Sequence, residues 1–210
     1  MTVLRSTLLS DGSSDRALIP ILNWLLQSKV TQLSLPGTQW ADFGYRRIKP
    51  QNLAERVRCA AEDYPCDLLF VHRDAEGQNQ DDRRNEILRA VREAGINPPA
   101  ICVIPVRMTE AWLLLDEEAI RLASGNPRGR RPLDLPARVS IERVVDPKEV
   151  LFQALRIASE QTGRRLSNLR VEERRHRVAE LMDYVLLRRL PAFQNLEVEL
   201  NAALRARGWV

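Results

Sequence analysis

The chain has 210 residues, 44% of them hydrophobic and 29% charged, with a net charge of +4. That is enough chain to bury one full core, and the balance is that of an ordinary globular protein. No apolar run approaches the ~20 residues that cross a bilayer, no secretory pattern opens the sequence, and Cys59, Cys66 and Cys102 form no CxxC pair. The expectation is therefore a cytoplasmic protein with no membrane partner, no disulfide framework and no zinc site. The charge is uneven: residues 1–120 hold 14 basic and 17 acidic residues, residues 121–210 hold 18 and 11. Nearly all the basic residues are arginine, whose planar fork suits phosphate.

In chain order, residues 3–10 read as a strand, Gly12 as a turn, and Ser13 or Ser14 as the cap of a helix with an apolar stripe through Leu18, Ile21, Leu22 and Leu25. Residues 42–48 alternate weakly and suggest a second strand; residues 51–63 suggest a helix. The run 67–73 reads as a strand, with Leu68–Val71 continuously apolar as a strand buried on both faces should be. A charged amphipathic helix over 80–94 follows, then a buried strand over 100–106 and a helix over 110–123 capped by Thr109. Strand–helix alternation of this kind predicts parallel strands joined by crossover helices. Residues 124–146 are rich in Gly, Pro and Arg and read as a loop or lid. Helices are expected over 147–161, 172–189 and 191–207. The organisation is then an α/β core over 1–123, the loop, and a helical C-terminal extension over 147–210.

Three acidic clusters follow apolar runs: Asp11-Gly12-Ser13-Ser14-Asp15, Asp74-Ala75-Glu76 and Thr109-Glu110. In a parallel sheet such positions fall at the carboxyl edge, where ligands bind. Carboxylates converging there without matched cations suit a hard divalent metal, Mg2+ or Mn2+. Asp11, Asp74 and Glu76 are the catalytic candidates, and Asp15 and Glu110 complete a metal shell. Asp15 and Glu110 also suit the first turn of a helix, where the dipole favours an acid, and Asp116 reads as surface. His72 and Arg73 alternate in direction, so one of them faces the site. His72 reads as a packed residue and His176 as part of a solvated helix face. Arg73, Lys148, Arg128, Arg130 and Arg131 are candidates for holding a nucleic-acid backbone. No GxxxxGK[ST] or GxSxG motif is present, which argues against a P-loop hydrolase or an α/β-hydrolase.

The order strand–acid-Gly-x-x-Asp–helix, then strand–Asp-x-acid, resembles the Toprim domain of topoisomerases, primases and the nucleases named for overcoming lysogenisation defect. Asp11 and Glu76 stand where that family has Glu and Asp. Glu110-Ala111-Trp112-Leu113-Leu114, Pro147-Lys148 and Pro191-Ala192-Phe193 are similar to motifs of a bacterial Toprim-like family of unknown function. The resemblance implies a Toprim-like, Rossmann-like, mostly parallel sheet flanked by helices. It implies a Mg2+- or Mn2+-dependent nuclease acting on DNA or RNA. By analogy it also implies an ATPase partner in antiphage defence, and a homodimer is compatible with it. The alternative is an inactive Toprim-like module that binds nucleic acid or a partner protein.

Overall fold

The structure is a computed structural model and describes residues 2–210. Four strands, β1 (Ser6–Leu9), β2 (Thr38–Trp40), β3 (Leu68–His72) and β4 (Ala100–Val103), form one all-parallel sheet in the order β2-β1-β3-β4. Helices α1 (Leu18–Gln27), α2 (Leu53–Asp63) and α3 (Gln80–Ala94) make the three crossovers. The protein is thus an α/β, Rossmann-like fold.

The strands read as unbroken apolar runs because both faces are covered. Leu8, Leu68, Phe70, Ile101 and Val103 face a core shared with α1 and the C-terminal helices. Leu9, Leu69, Val71 and Cys102 face a smaller core under α2 and α3. Local signals set the helix ends: the Asn79 side chain accepts from the Asp81 N–H, and Gly95 closes α3 with φ 64. The helix over 80–94 thus forms with the bounds expected.

Expectations for the second strand and for the helix after Thr109 need correction. The second strand lies at Thr38–Trp40, not at 42–48. Tyr45 and Ile48 are 64% and 82% exposed, so the weak alternation there never becomes a buried face. The helix over 110–123 is two helices, α4 (Glu110–Leu113) and α5 (Glu117–Ser124). Asp116 divides them: one carboxylate oxygen caps α5 at the Ala119 N–H, 3.0 Å away, and the other accepts from the Asp183 N–H at 2.8 Å. Thr109 makes no cap hydrogen bond.

The C-terminal half holds α6 (Pro147–Ser159), α7 (Gly163–Ser167), α8 (Val171–Leu181) and α9 (Pro191–Ala206). Helix α7 had no counterpart in the sequence reading, and the helix expected over 172–189 ends at Leu181, giving way to a 3-10 turn over Tyr184–Arg189. Phe193, Leu200 and Val178 share the core of Leu8 and Phe70, so this half packs on the sheet. The 124–146 segment is irregular apart from a 3-10 turn at Arg138–Arg143. Buried Leu133 and Ile141 anchor it. At the sheet edge, Glu199 of α9 accepts from the Cys102 N–H at 3.0 Å, Gln80 donates to the Ile104 carbonyl at 2.6 Å, and Arg84 pairs with Glu199.

Candidate active site at the carboxyl edge of the sheet

From β1 the chain crosses to β2 on one side, then returns to β3 on the other. The crevice beyond the carboxyl ends of β1 and β3 is therefore the topological switch point, the usual ligand position in an open α/β sheet. Strand alternation splits this edge into two faces.

His72, with the parity of Leu68 and Phe70, turns toward the α8 side. It is 2% exposed. Its Nδ1 lies 3.0 Å from the Val103 carbonyl oxygen. A carbonyl only accepts, so Nδ1 carries the proton. Nε2 then faces Asp74 Oδ1 at 3.4 Å, Asp15 Oδ1 at 3.8 Å and the Thr109 hydroxyl at 3.5 Å. Two carboxylate oxygens thus converge on one imidazole nitrogen, and neither has a guanidinium partner. Asp74 Oδ1 is buried with no hydrogen-bond partner. Burial pushes the Asp74 carboxyl up to about 7; His72 and a backbone hydrogen bond at Thr109 oppose the rise, and the like charges of Asp15 and Glu110 add to it.

Asp15 is positioned by the turn that leads into α1. Ser13–Ala17 form a 3-10 turn, and Asp15 reaches back to accept from the Gly12 N–H at 3.0 Å and from the Ser14 hydroxyl at 3.1 Å. Gly12, not a serine, is the cap. Glu110 is buried 2.8 Å from Arg175 of α8, the two side chains each 6% exposed. His176, the next residue, is half-buried and lies on no solvated face: its pKa is lowered by burial, then by Arg175 and Arg16, with Glu180 and Asp15 opposing.

The α2/α3 side is a lattice of ion pairs. Asp11 is held by Arg56 at 2.6 Å and Arg73 at 3.0 Å. Arg73 also reaches Glu86 at 3.0 Å, and Arg83 joins Glu86 at 2.9 Å to Glu76 at 3.4 Å. Glu76 has φ 52 and a side chain 68% exposed. Gly77, at φ 81, follows it; a Cβ there would strike the Arg107 guanidinium. Of the five proposed metal ligands, Asp15 and Asp74 therefore lie beside His72 and Glu110 pairs with Arg175 near enough to raise the Asp74 pKa, while Asp11 and Glu76 are engaged by arginines on the other face.

Lys148 lies 5.7 Å over the Phe152 ring, and Arg128, Arg130 and Arg131 are exposed on the loop after α5. Among the described residues, no ion pair or hydrogen bond links these four side chains to the acidic groups. Arg175 carried one overlooked signal. It occupies the buried stripe of α8 with Val171, Val178 and Ala179, where an arginine needs a buried acid.

Among the described residues, no group of three or more His, Cys, Asp or Glu is arranged as a ready metal cage. Mg2+ binds through one or two carboxylates and completes its shell with water and substrate phosphate. The unpartnered Asp74 Oδ1 is the atom such an ion would satisfy. Fold and site together define an open parallel α/β protein with an acid–histidine centre at its switch point. No protein-family model matches the chain, and no curated protein or solved structure matches it either.

Proposed function

We propose that the protein is a divalent-metal-dependent phosphodiesterase acting on nucleic acid, with a Toprim-like core. The observation that carries this reading is the pair of carboxylate oxygens that converge at the switch point without a guanidinium, one of them with no hydrogen-bond partner. Asp74 Oδ1 and Asp15 Oδ1 lie within 3.8 Å of His72 Nε2 and have no guanidinium partner. Such an arrangement favours a cation, and a carboxyl perturbed by burial and like charges is a functional-site candidate.

Asp15 and Asp74 would hold Mg2+ or Mn2+, which would supply a lowered pKa for an attacking water and charge stabilisation on the phosphoryl oxygens. His72, fixed by Val103, presents Nε2 beside the carboxylates, where it would exchange a proton with a reacting group. Arg175 fixes Glu110 behind them. Arg16, exposed on the Ser13–Ala17 turn with its guanidinium 5.4 Å over the Trp40 ring, offers a contact to a phosphate oxygen. The resemblance adds a role as effector of an antiphage system with an ATPase partner.

The test is cleavage of labelled DNA and RNA with Mg2+ or Mn2+ by wild-type and Asp74→Asn protein. Cleavage that needs metal and is lost in the variant supports the reading; no cleavage with either metal, or cleavage unaffected by the substitution, rejects it. One observation favours the alternative of a binding module: the acids that the Toprim resemblance singles out, Asp11 and Glu76, are tied up by arginines. Calorimetry separates the two, since a module without a metal site takes up neither ion at millimolar concentration. A phosphodiesterase binds the ion more weakly below pH 7, by up to about tenfold per unit, because Asp74 must first lose its proton.

A further inference from the structure

Helix α8 has the candidate site near its middle and a second feature at its start. Segments 126–132 (NPRGRRP) and 161–170 (QTGRRLSNLR) hold six arginines and no acid. Glu160 joins them. It accepts the backbone N–H groups of Arg130 at 2.7 Å and Arg131 at 3.0 Å, so it serves the main chain and forms no ion pair with their guanidinium groups. Beside this junction lies a concave pocket of about 370 Å³, lined by Gln161, Arg165, Asn168, Arg170, Glu173 and Arg174. Its one acid, Glu173, is already answered by Arg170 at 2.8 Å, and Arg174 donates to the Ala123 carbonyl at 2.9 Å. Arg164 and Arg165 have no acidic partner among the described residues. The pocket thus presents amide and guanidinium donors with an unneutralised positive charge, the complement of phosphate oxygens.

We propose that this pocket is an exosite that grips the phosphodiester backbone of a nucleic acid. Arg165 and Arg170 contact phosphate oxygens, and Arg130, Arg131 and Arg164 continue the track. A single small phosphate would use one pocket; two acid-free arginine segments meeting at one place fit a polymer. The exosite lies close to the candidate site along α8: Arg174 belongs to the pocket and Arg175 to the Glu110 pair, and Arg170 to Arg175 spans only about 7.5 Å of helix rise. A role for it in presenting substrate rests on the phosphodiesterase reading; the binding itself does not.

The experiment is fluorescence anisotropy of labelled single-stranded DNA and RNA in EDTA, across a salt series. The proteins compared are wild type, the double variant Arg165→Gln/Arg170→Gln, and a control double variant Arg89→Gln/Arg92→Gln in exposed positions of α3. The expected result is about tenfold weaker binding for the exosite variant and a log–log salt slope smaller by about 2, with an unchanged melting temperature and a near-wild-type control. Equal affinity and slope in the exosite variant and the wild type overturn the proposal, as does an equal loss in the control. Displacement of the strand by micromolar inorganic phosphate overturns the polymer assignment in favour of a small phosphate ligand. If wild type binds through these arginines but never cleaves, the exosite stands and only the phosphodiesterase reading falls.

Discussion

On the α2/α3 side of the carboxyl edge, Asp11, Glu76 and Glu86 each meet an arginine, and the charges close into a lattice. On the α8 side, Asp15 and Asp74 meet a histidine and neutral donors but no guanidinium, and Glu110 alone has one. Both sides carry acids on the same scaffold, a few residues apart in sequence. A neutralised lattice holds the edge in place, whereas an uncompensated cluster costs stability and so needs another reason to persist.

The sharpest way to break the contrast is to strip the α8 side of its one buried cation. Arg175→Met leaves Glu110 buried without a partner, and a loss of about 3–5 kcal/mol is expected in urea unfolding. Glu110→Gln combined with Arg175→Met should recover most of it; a single-variant loss under about 1 kcal/mol would show that the pair does not hold α8 down. Next in size is Asp74→Asn, expected to stabilise the protein. The folded carboxyl, at about 7, lies above its unfolded 3.8, so the folded chain retains a proton that the unfolded chain gives up. The contribution from Asp74 is full below pH 3.8 and is lost as the pH rises to 7. At pH 8 the variant should therefore gain about 2–4 kcal/mol, and at acid pH little; a melting temperature unchanged at both ends would refute this.

Smaller is Asp15→Asn, which removes a like charge beside Asp74. The Asp74 titration, followed by NMR, should move down from about 7, and an unmoved curve would mean that the two carboxylates do not sense each other. Smallest is Asp11→Asn. Its ion pairs are half-exposed, so about 1 kcal/mol or less is expected, and any metal-dependent cleavage should survive. Loss of cleavage here, with Asp15→Asn still active, would move the centre to the arginine side.

The elements that could be read in advance are those with dense local signals. Residues 68–71 are continuously apolar, and 80–94 sit between an asparagine cap and a left-handed glycine. The short strand Thr38–Trp40 lacked such a signal, because three residues are too few for a period to show. The division of α4 from α5 depended on Asp116 finding the Asp183 N–H, 67 residues away. The acids at the strand ends were legible as a group; their partition was not. It turns on one-residue parity at His72 and Arg73, and on a turn that carries Asp15 across to the His72 side. No spacing in the chain foretells that Asp11, the acid nearest to β1, would be claimed by Arg56 from α2.

The capped outer edge of β4 bears on how the molecule behaves among its own copies. A bare strand edge is an open template for addition of a neighbour's chain. Here a carboxylate and an amide from two helices take up hydrogen bonds that an added strand would need at Cys102 and Ile104. A neighbour would have to displace Glu199 from both the Cys102 N–H and Arg84 before the first rung could form. Edge-to-edge growth along this side of the sheet is therefore obstructed at its first step.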